Sequence, residues 1–183
     1  MINYRLANLA DVAPLLVLER THVNAELAQA DPSLQGQALS SAQLTQLINQ
    51  HWIMLAEDDG KIVGYVIATH WSFFNNQGLY SNILNRLAKL ECVHPSSFVN
   101  ISEINSCQYG PIWIEATYRG TGIFAELVNA LYRQLSRHFA FVVAYIADEN
   151  ARSFAAHTKY ANMQVMDFFS YQQRDYYLLL KGV

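Results

Sequence analysis

The residues best placed to do chemistry are Ile112-Trp113-Ile114-Glu115-Ala116-Thr117-Tyr118-Arg119-Gly120-Thr121-Gly122-Ile123. Tyr109 to Ala116 reads as a strand. Two glycines then turn the chain into a helix with Phe124, Leu127, Val128, Leu131 and Leu135 at helical spacing. A helix start carries unpaired amides and the positive end of the helix dipole. Glycines let an anionic group approach those amides closely. The pattern suits a phosphate or pyrophosphate cradle, and an ordinary strand-to-helix turn fits the same residues. The GxxxxGK(S/T) spacing of a P-loop is absent. So are the third glycine and the acid about 20 residues on that mark a dinucleotide site.

Other chemistry is thinly represented. Cys92 and Cys107 have no base paired with them in sequence and read as idle or buried thiols. His22, His51, His70, His94 and His138 lack ligand spacing, so no metal site is expected. Trp71, Phe73, Phe74 and Tyr80 fit a substrate pocket, a core or a subunit face.

The elements that must position the glycine turn follow from periodicity. Ile2 to Leu6 reads as a strand. Asn8 or Asp11 caps a helix running through Glu19, with Pro14 early in it, where a missing N–H costs little. Ala30 to Ser40 reads as loop, and Ser40 or Ser41 caps a helix carrying Leu44, Leu47 and Ile48. Trp52 to Glu57 and Lys61 to Thr69 flank Asp58-Asp59-Gly60 as an antiparallel hairpin. Leu79 to Leu90 has helical spacing inside an insert at about 71–105 that otherwise reads as loop. Phe139 to Ile146 is a buried central strand. Asn150 to Tyr160 is a short helix, and Met163 to Ser170 with Asp175 to Leu180 closes the chain as a hairpin. Strand–helix–strand from Tyr109 to Ile146 requires a parallel crossover, so the sheet is mixed. No linker or repeat interrupts residues 1–183, which read as a single domain.

Composition narrows the class. The 183 residues are 52% hydrophobic and 15% charged, which excludes a disordered chain. A net charge of −3 argues against nucleic acid or an anionic membrane as partner. Two cysteines without a CxxC fit a reducing compartment. No export signal and no apolar window of about 18 residues is read, so a cytoplasmic location is expected.

Tyr118-Arg119-Gly120-Thr121-Gly122-Ile123 resembles motif A of the GNAT superfamily of N-acetyltransferases, Gln/Arg-x-x-Gly-x-Gly/Ala. It maps as Arg119-x-x-Gly122-x-Phe124, with Phe124 where a small residue is usual. Asn150-Ala151-Arg152-Ser153-Phe154-Ala155-Ala156-His157-Thr158-Lys159-Tyr160 is similar to motif B, with Asn162-Met163 in place of the family's Gly-Phe. The likeness is carried by motifs over Tyr109 to Leu180 and by element order elsewhere. It implies an α/β fold with a mixed central sheet of about seven strands flanked by helices, splayed between the fourth and fifth strands.

The resemblance further implies acetyl-CoA as co-substrate and a primary amine of a small molecule or peptide as acceptor, joined by direct attack. Backbone groups at Ile112 and Ile114 would meet the pantetheine arm and thioester. The amides of Arg119, Gly120, Thr121, Gly122, Ile123 and Phe124 would hold the pyrophosphate. Asn150 would bond the pantetheine, cap its helix, or do both. His157 stands where the family places a donor Tyr, with Tyr160 as substitute. Gln108 stands where a basic Glu is frequent; Glu103 and Glu115 are the nearby acids, and a water chain could serve instead. A homodimer is the further partner considered. The rival reading is a degenerate acyl-CoA-binding or sensing domain.

Overall fold

The computed structural model describes residues 1–30, 38–74, 77–94 and 97–183. Most of the loop expected over Ala30 to Ser40 lies outside them. So do the readings made of the side chains of His22, Phe74, Cys92 and His94.

Seven strands form one mixed sheet in the order β1-β2-β3-β6-β7-β9-β8. The first three are β1 (Asn3–Leu6), β2 (Trp52–Asp58) and β3 (Lys61–Thr69). Asp59 and Gly60 take φ of +48° and +80°, which the tight β2–β3 turn requires and Asp-Gly supplies cheaply. The centre is β6 (Ser106–Ile114) beside β7 (Phe141–Ala147), and β8 (Gln164–Tyr171) and β9 (Arg174–Gly182) close the chain.

Helices cover both faces. Strand alternation, reset at Val63 by a bulge opposite Ala56 and Glu57, sends Met54, Ala56, Val63 and Val66 to one face, where α4 (Ile123–Leu135) buries Leu127, Val128, Leu131 and Leu135 against them. Ile53, Leu55, Tyr65 and Ile67 point the other way, onto Leu15 of α1 (Val12–Ala30) and Leu44 and Leu47 of α2 (Ser41–Gln50). Ser40 caps α2 by accepting from Gln43 N–H at 3.2 Å. Asn8 caps the 3-10 turn Leu9–Asp11 that leads into α1.

Two expectations change. The segment after Leu90 is not all loop: β4 (Glu91–His94) and β5 (Ser97–Asn100) pair as a separate antiparallel hairpin. The insert also supplies core. Tyr80, Ile83 and Leu87 of α3 (Gly78–Leu87), with Trp71, bury Phe141, Val143, Phe169, Leu178 and Leu180 on the face of β7–β9–β8 opposite α4. Trp71 Nε1 donates to Ser106 Oγ at 3.0 Å, and Arg86 pairs with Asp167 at 2.8 Å. Of the aromatics read as pocket, core or subunit face, Trp71 and Tyr80 are core.

Candidate active site

The site begins where the sheet opens. β6 and β7 are parallel, as the crossover demands, but pair only at Ser106–Phe141, Cys107–Val142 and Gln108–Val143. Beyond Gln108 they part. On its other edge β6 pairs with β3 through a bulge. Ala68 opposes Tyr109 and Val66 opposes Ile112, so β6 spends one residue more than β3. Gly110, at φ +109°, and the cis Gly110–Pro111 bond lie in that bulge. Glu115 N–H donates to Val63 O, which fixes the alternation of the strand beyond the bulge. Ile112 and Ile114 then turn their backbone groups away from β3, into the opening.

The glycine turn lies at the mouth. Gly122 at φ +90° is the N-cap of α4 and offers no side-chain cap; Gly120 has φ +81°. A Cβ at either would meet nothing within 4 Å, so their open side faces space rather than protein. The first helical amide bonded back is Glu126 N–H, to Gly122 O at 3.3 Å. The Arg119 amide, expected among the donors, is already given to Ala116 O at 3.3 Å; those from Gly120 to Phe124 have no backbone acceptor among the described residues and lie in the field of the dipole.

The turn is braced by its own residues. Arg119 Nε donates to Ile114 O at 2.8 Å, which takes that carbonyl on the opening edge of β6, and Thr121 Oγ1 donates to Tyr118 O at 2.7 Å. Tyr118 O–H donates to Asp58 at 3.0 Å, and Lys61 pairs with Glu115 at 2.8 Å. Arg119 thus shapes the loop through its guanidinium. Glu115 is the partner of a lysine rather than a base at the opening. An open groove lies against the turn itself, lined by Ile2, Tyr4, Tyr118, Thr121, Gly122, Ile123, Ala125 and Glu126, so one carboxylate shares the helix start with its bare amides.

α5 (Ala151–Lys159) forms the other wall. Asn150 is its N-cap, accepting from Ser153 N–H at 3.1 Å. Asn162, at φ +52°, takes the left-handed conformation expected beyond the helix end. His157 is 3% exposed. Its ring stands edge-on to Tyr109 at 5.3 Å and to Phe124 at 5.2 Å. Burial holds its pKa below the usual histidine value, against the opposing pull of its bond to the Ser153 carbonyl. Burial thus disfavours the charged form of the ring, the form that donates most readily. Tyr160, the residue that ends the helix, is 61% exposed.

The expected bases fare differently. Gln108 is buried, accepts from Thr69 Oγ1 at 3.3 Å and donates to the Tyr109 carbonyl at 2.9 Å. Glu103 is exposed in the turn before β6, at the paired end of the strand, and the structure does not bring it to the opening.

Two groupings escaped the sequence. Glu19 is buried on α1, accepting from Tyr65 O–H and from Leu39 N–H at 3.2 Å. Its place in the apolar spacing of Leu15 and Leu16 was the available signal. His51, His70 and His138 gather around Trp52 although they are far apart in the chain. No cluster able to hold a metal ion occurs among the described residues, and no helix of the described residues is long and apolar enough to cross a membrane.

A mixed sheet opened between two parallel strands, with a bare helix start at its mouth, is an acyltransferase architecture. The chain belongs to the Acetyltransferase (GNAT) family, which it matches over residues 22–163. A GNAT-family acetyltransferase from Streptococcus pneumoniae shares the fold at a TM-score of 0.66 and 17% identity, covering 100% of this chain and 99% of its own. A phosphinothricin acetyltransferase from Sinorhizobium meliloti, solved with acetyl-CoA, gives 0.67 at 17% identity, covering 100% and 88%. NAA60 of Arabidopsis thaliana, also in complex with acetyl-CoA, gives 0.65 at 15% identity, covering 100% and 99%. No curated protein matches the chain.

Proposed function

We propose that the protein transfers the acetyl group of acetyl-CoA to a primary amine of a small molecule or peptide by direct attack. The observation that carries this is the juxtaposition of an uncapped α4 start with the gap between β6 and β7. A pyrophosphate needs convergent donors without a competing side chain, and the turn at 120–124 supplies them. The backbone groups of Ile112 and the N–H of Ile114 line the path of the pantetheine arm, with Asn150 at its flank; the Ile114 carbonyl is held by Arg119. An N–H on that edge polarises the thioester carbonyl. Acetyl-CoA bound there supplies the activated acyl carbon; the chain supplies orientation, a dry cleft and donors.

No side chain described at the opening is a free base. Gln108 cannot take a proton, Glu115 is ion-paired and His157 is buried. Proton removal from the amine therefore runs through water to bulk. The same observation favours a second reading, an acyl-CoA-binding or sensing domain without turnover. The cytoplasm is the proposed compartment, supported by the cysteine content. Self-association is proposed on the exposed Val165 and Phe168 of the edge strand β8.

Release of free thiol from acetyl-CoA across a panel of amines tests the activity, alongside calorimetry of CoA binding. Turnover with any amine supports transfer. Binding without turnover supports the sensing reading, and absence of binding defeats both.

A further inference from the structure

Tyr145 of β7 stands two positions beyond the last rung with β6. Its neighbours Ala144 and Ile146 pack into the cluster that α4 covers, so alternation sends Tyr145 to the opposite face of the sheet. There α3 covers it with Tyr80, whose ring is edge-on at 5.7 Å and whose hydroxyl lies 2.9 Å from its own. β9 fills one flank with Tyr176, at 5.8 Å. The other flank is the slot that β6 vacates, and part of the Tyr145 side chain stays exposed. At the closed end of the slot, on the same face, Gln108 accepts from Thr69. The gap therefore has the bare start of α4 on one face and a wall of tyrosine rings on the other.

We propose that this wall receives the acceptor, and that the acceptor is a weakly basic primary amine carried on an aromatic group, of the kind an aromatic α-amino amide or peptide offers. The proposal rests on the acetyl-CoA reading above. A cofactor anchored at the start of α4 enters the gap from the α4 face, so the acceptor reaches the thioester from the other face, where Tyr145 stands. Rings of Tyr145, Tyr80 and Tyr176 present a flat, largely apolar surface, and a ring laid on it gains more than its area alone would give. Low basicity follows from what the opening lacks. As the N–C bond forms and the C–S bond breaks, the electron pair goes to sulfur and the surplus proton on nitrogen goes to water. The nitrogen must first arrive uncharged. The acids past the end of β7 are engaged: Asp148 accepts from Tyr177 O–H, Glu149 from Arg174 and Asp175 from Ser170 O–H. Gln108 takes no proton. The amine therefore sheds its ammonium proton unaided. At pH 7.5 an α-amino group of pKa about 7.8 is roughly one-third neutral, whereas an alkylamine near 10.4 is neutral to about one part in a thousand.

The test compares phenylalaninamide, phenethylamine and alaninamide as acceptors for the full chain with acetyl-CoA, read by thiol release. Phenylalaninamide has the ring and the weak base, phenethylamine the ring alone, alaninamide the weak base alone. At pH 7.5 phenylalaninamide is expected to exceed each of the others roughly tenfold or more in kcat/KM. Between pH 8 and 9 the deficit of phenethylamine should shrink by up to about tenfold, as its neutral fraction grows. Tyr145→Leu should bring the two amides close to parity, with CoA affinity by calorimetry reporting an intact fold, and Tyr145→Phe should keep them apart. If Tyr145→Leu does not fold, the wild-type comparison and Tyr145→Phe decide. Parity of the two amides in the wild-type protein, phenethylamine as the better substrate at pH 7.5, an unchanged ratio in a folded Tyr145→Leu, a ratio lost in Tyr145→Phe, or turnover confined to other amines overturns the proposal while acetyl transfer stands. If no amine releases thiol from acetyl-CoA, the transfer reading falls and the proposal with it.

Discussion

His157 Nδ1 lies 2.7 Å from the carbonyl oxygen of Ser153, one helical turn back on α5. A carbonyl only accepts, so the proton of the neutral ring is on Nδ1 and Nε2 has none to give. His157→Ala is expected to cost about 2–4 kcal/mol by opening a cavity in the wall of the opening. Denaturant unfolding measures that loss. Wild-type turnover should show no limb that falls as pH rises through the histidine range; such a limb, abolished in the variant, would restore His157 as the acid.

Gly122→Val places a β-branched residue at φ +90°, a conformation such residues resist by about 1–2 kcal/mol. The added methyls also project from the open side of the turn, where nothing of the protein lies within 4 Å. Acetyl-CoA affinity by calorimetry is expected to fall more than tenfold, with the melting midpoint lowered by only a few degrees. Unchanged affinity would move the anion site away from α4.

Acid should weaken the fold before any carboxylate titrates. His51 is pushed down to about 4, by burial first and then by His70. His70 and His157 are lowered too, chiefly by burial. Below pH 6.5 the unfolded chain takes protons that these folded rings refuse, for His51 down to about 4, so stability is full above 6.5 and declines below it. His51→Gln should flatten that decline by on the order of 1 kcal/mol, allowing for a half-exposed ring. Chemical unfolding at pH 7.5 and pH 5 gives the comparison.

Arg5 joins β1 to its surroundings through Asp11 at 2.7 Å and Glu57 at 2.7 Å. Its hydrogen bonds are the largest cause holding both carboxyls below their usual range. Arg5→Leu leaves the two acids facing each other and is expected to cost about 1.5–3 kcal/mol at pH 7. The stability these acids contribute is full above their unfolded values near 4 and is lost as pH falls through the lowered folded values. The gap between variant and wild type should therefore close towards pH 2–3.

Glu19→Leu leaves the Tyr65 hydroxyl and the Leu39 amide without their acceptor and is expected to cost about 1–3 kcal/mol. Glu19→Gln keeps an acceptor oxygen and should recover most of it. Equal losses in the two variants would show that charge, not hydrogen bonding, is what α1 uses.

What could be read from the chain was local. Asp59-Gly60 forces its turn, Ser40 caps its helix, and the stripe from Leu127 to Leu135 finds the sheet. The glycine turn was legible because glycine, strand end and helix start are adjacent in sequence. The start of β6 was hidden because Ser106 and Gln108 are polar yet buried, their bonds coming from Trp71 and Thr69 far away. The hairpin at 91–100 lacks the apolar alternation of the main strands. The histidines meet only once the beginning of β2, the end of β3 and the chain before β7 converge. Tyr145 reads as any residue of a buried strand until β6 parts from β7 beside it.

The seam of three rungs between β6 and β7 makes the sheet two leaves sewn along a short spine. β1, β2, β3 and β6 form one leaf; β7, β9 and β8 form the other. Each leaf has its own cover on one side, α1 with α2 and α3 respectively. Beyond the spine, the shared cover is α4, which packs against both. Beside the three rungs, much of the packing that couples the leaves therefore runs through that helix. Damage to Leu127 or Leu131 should let amide protons of the two leaves exchange at separate rates, where the intact protein exchanges them together.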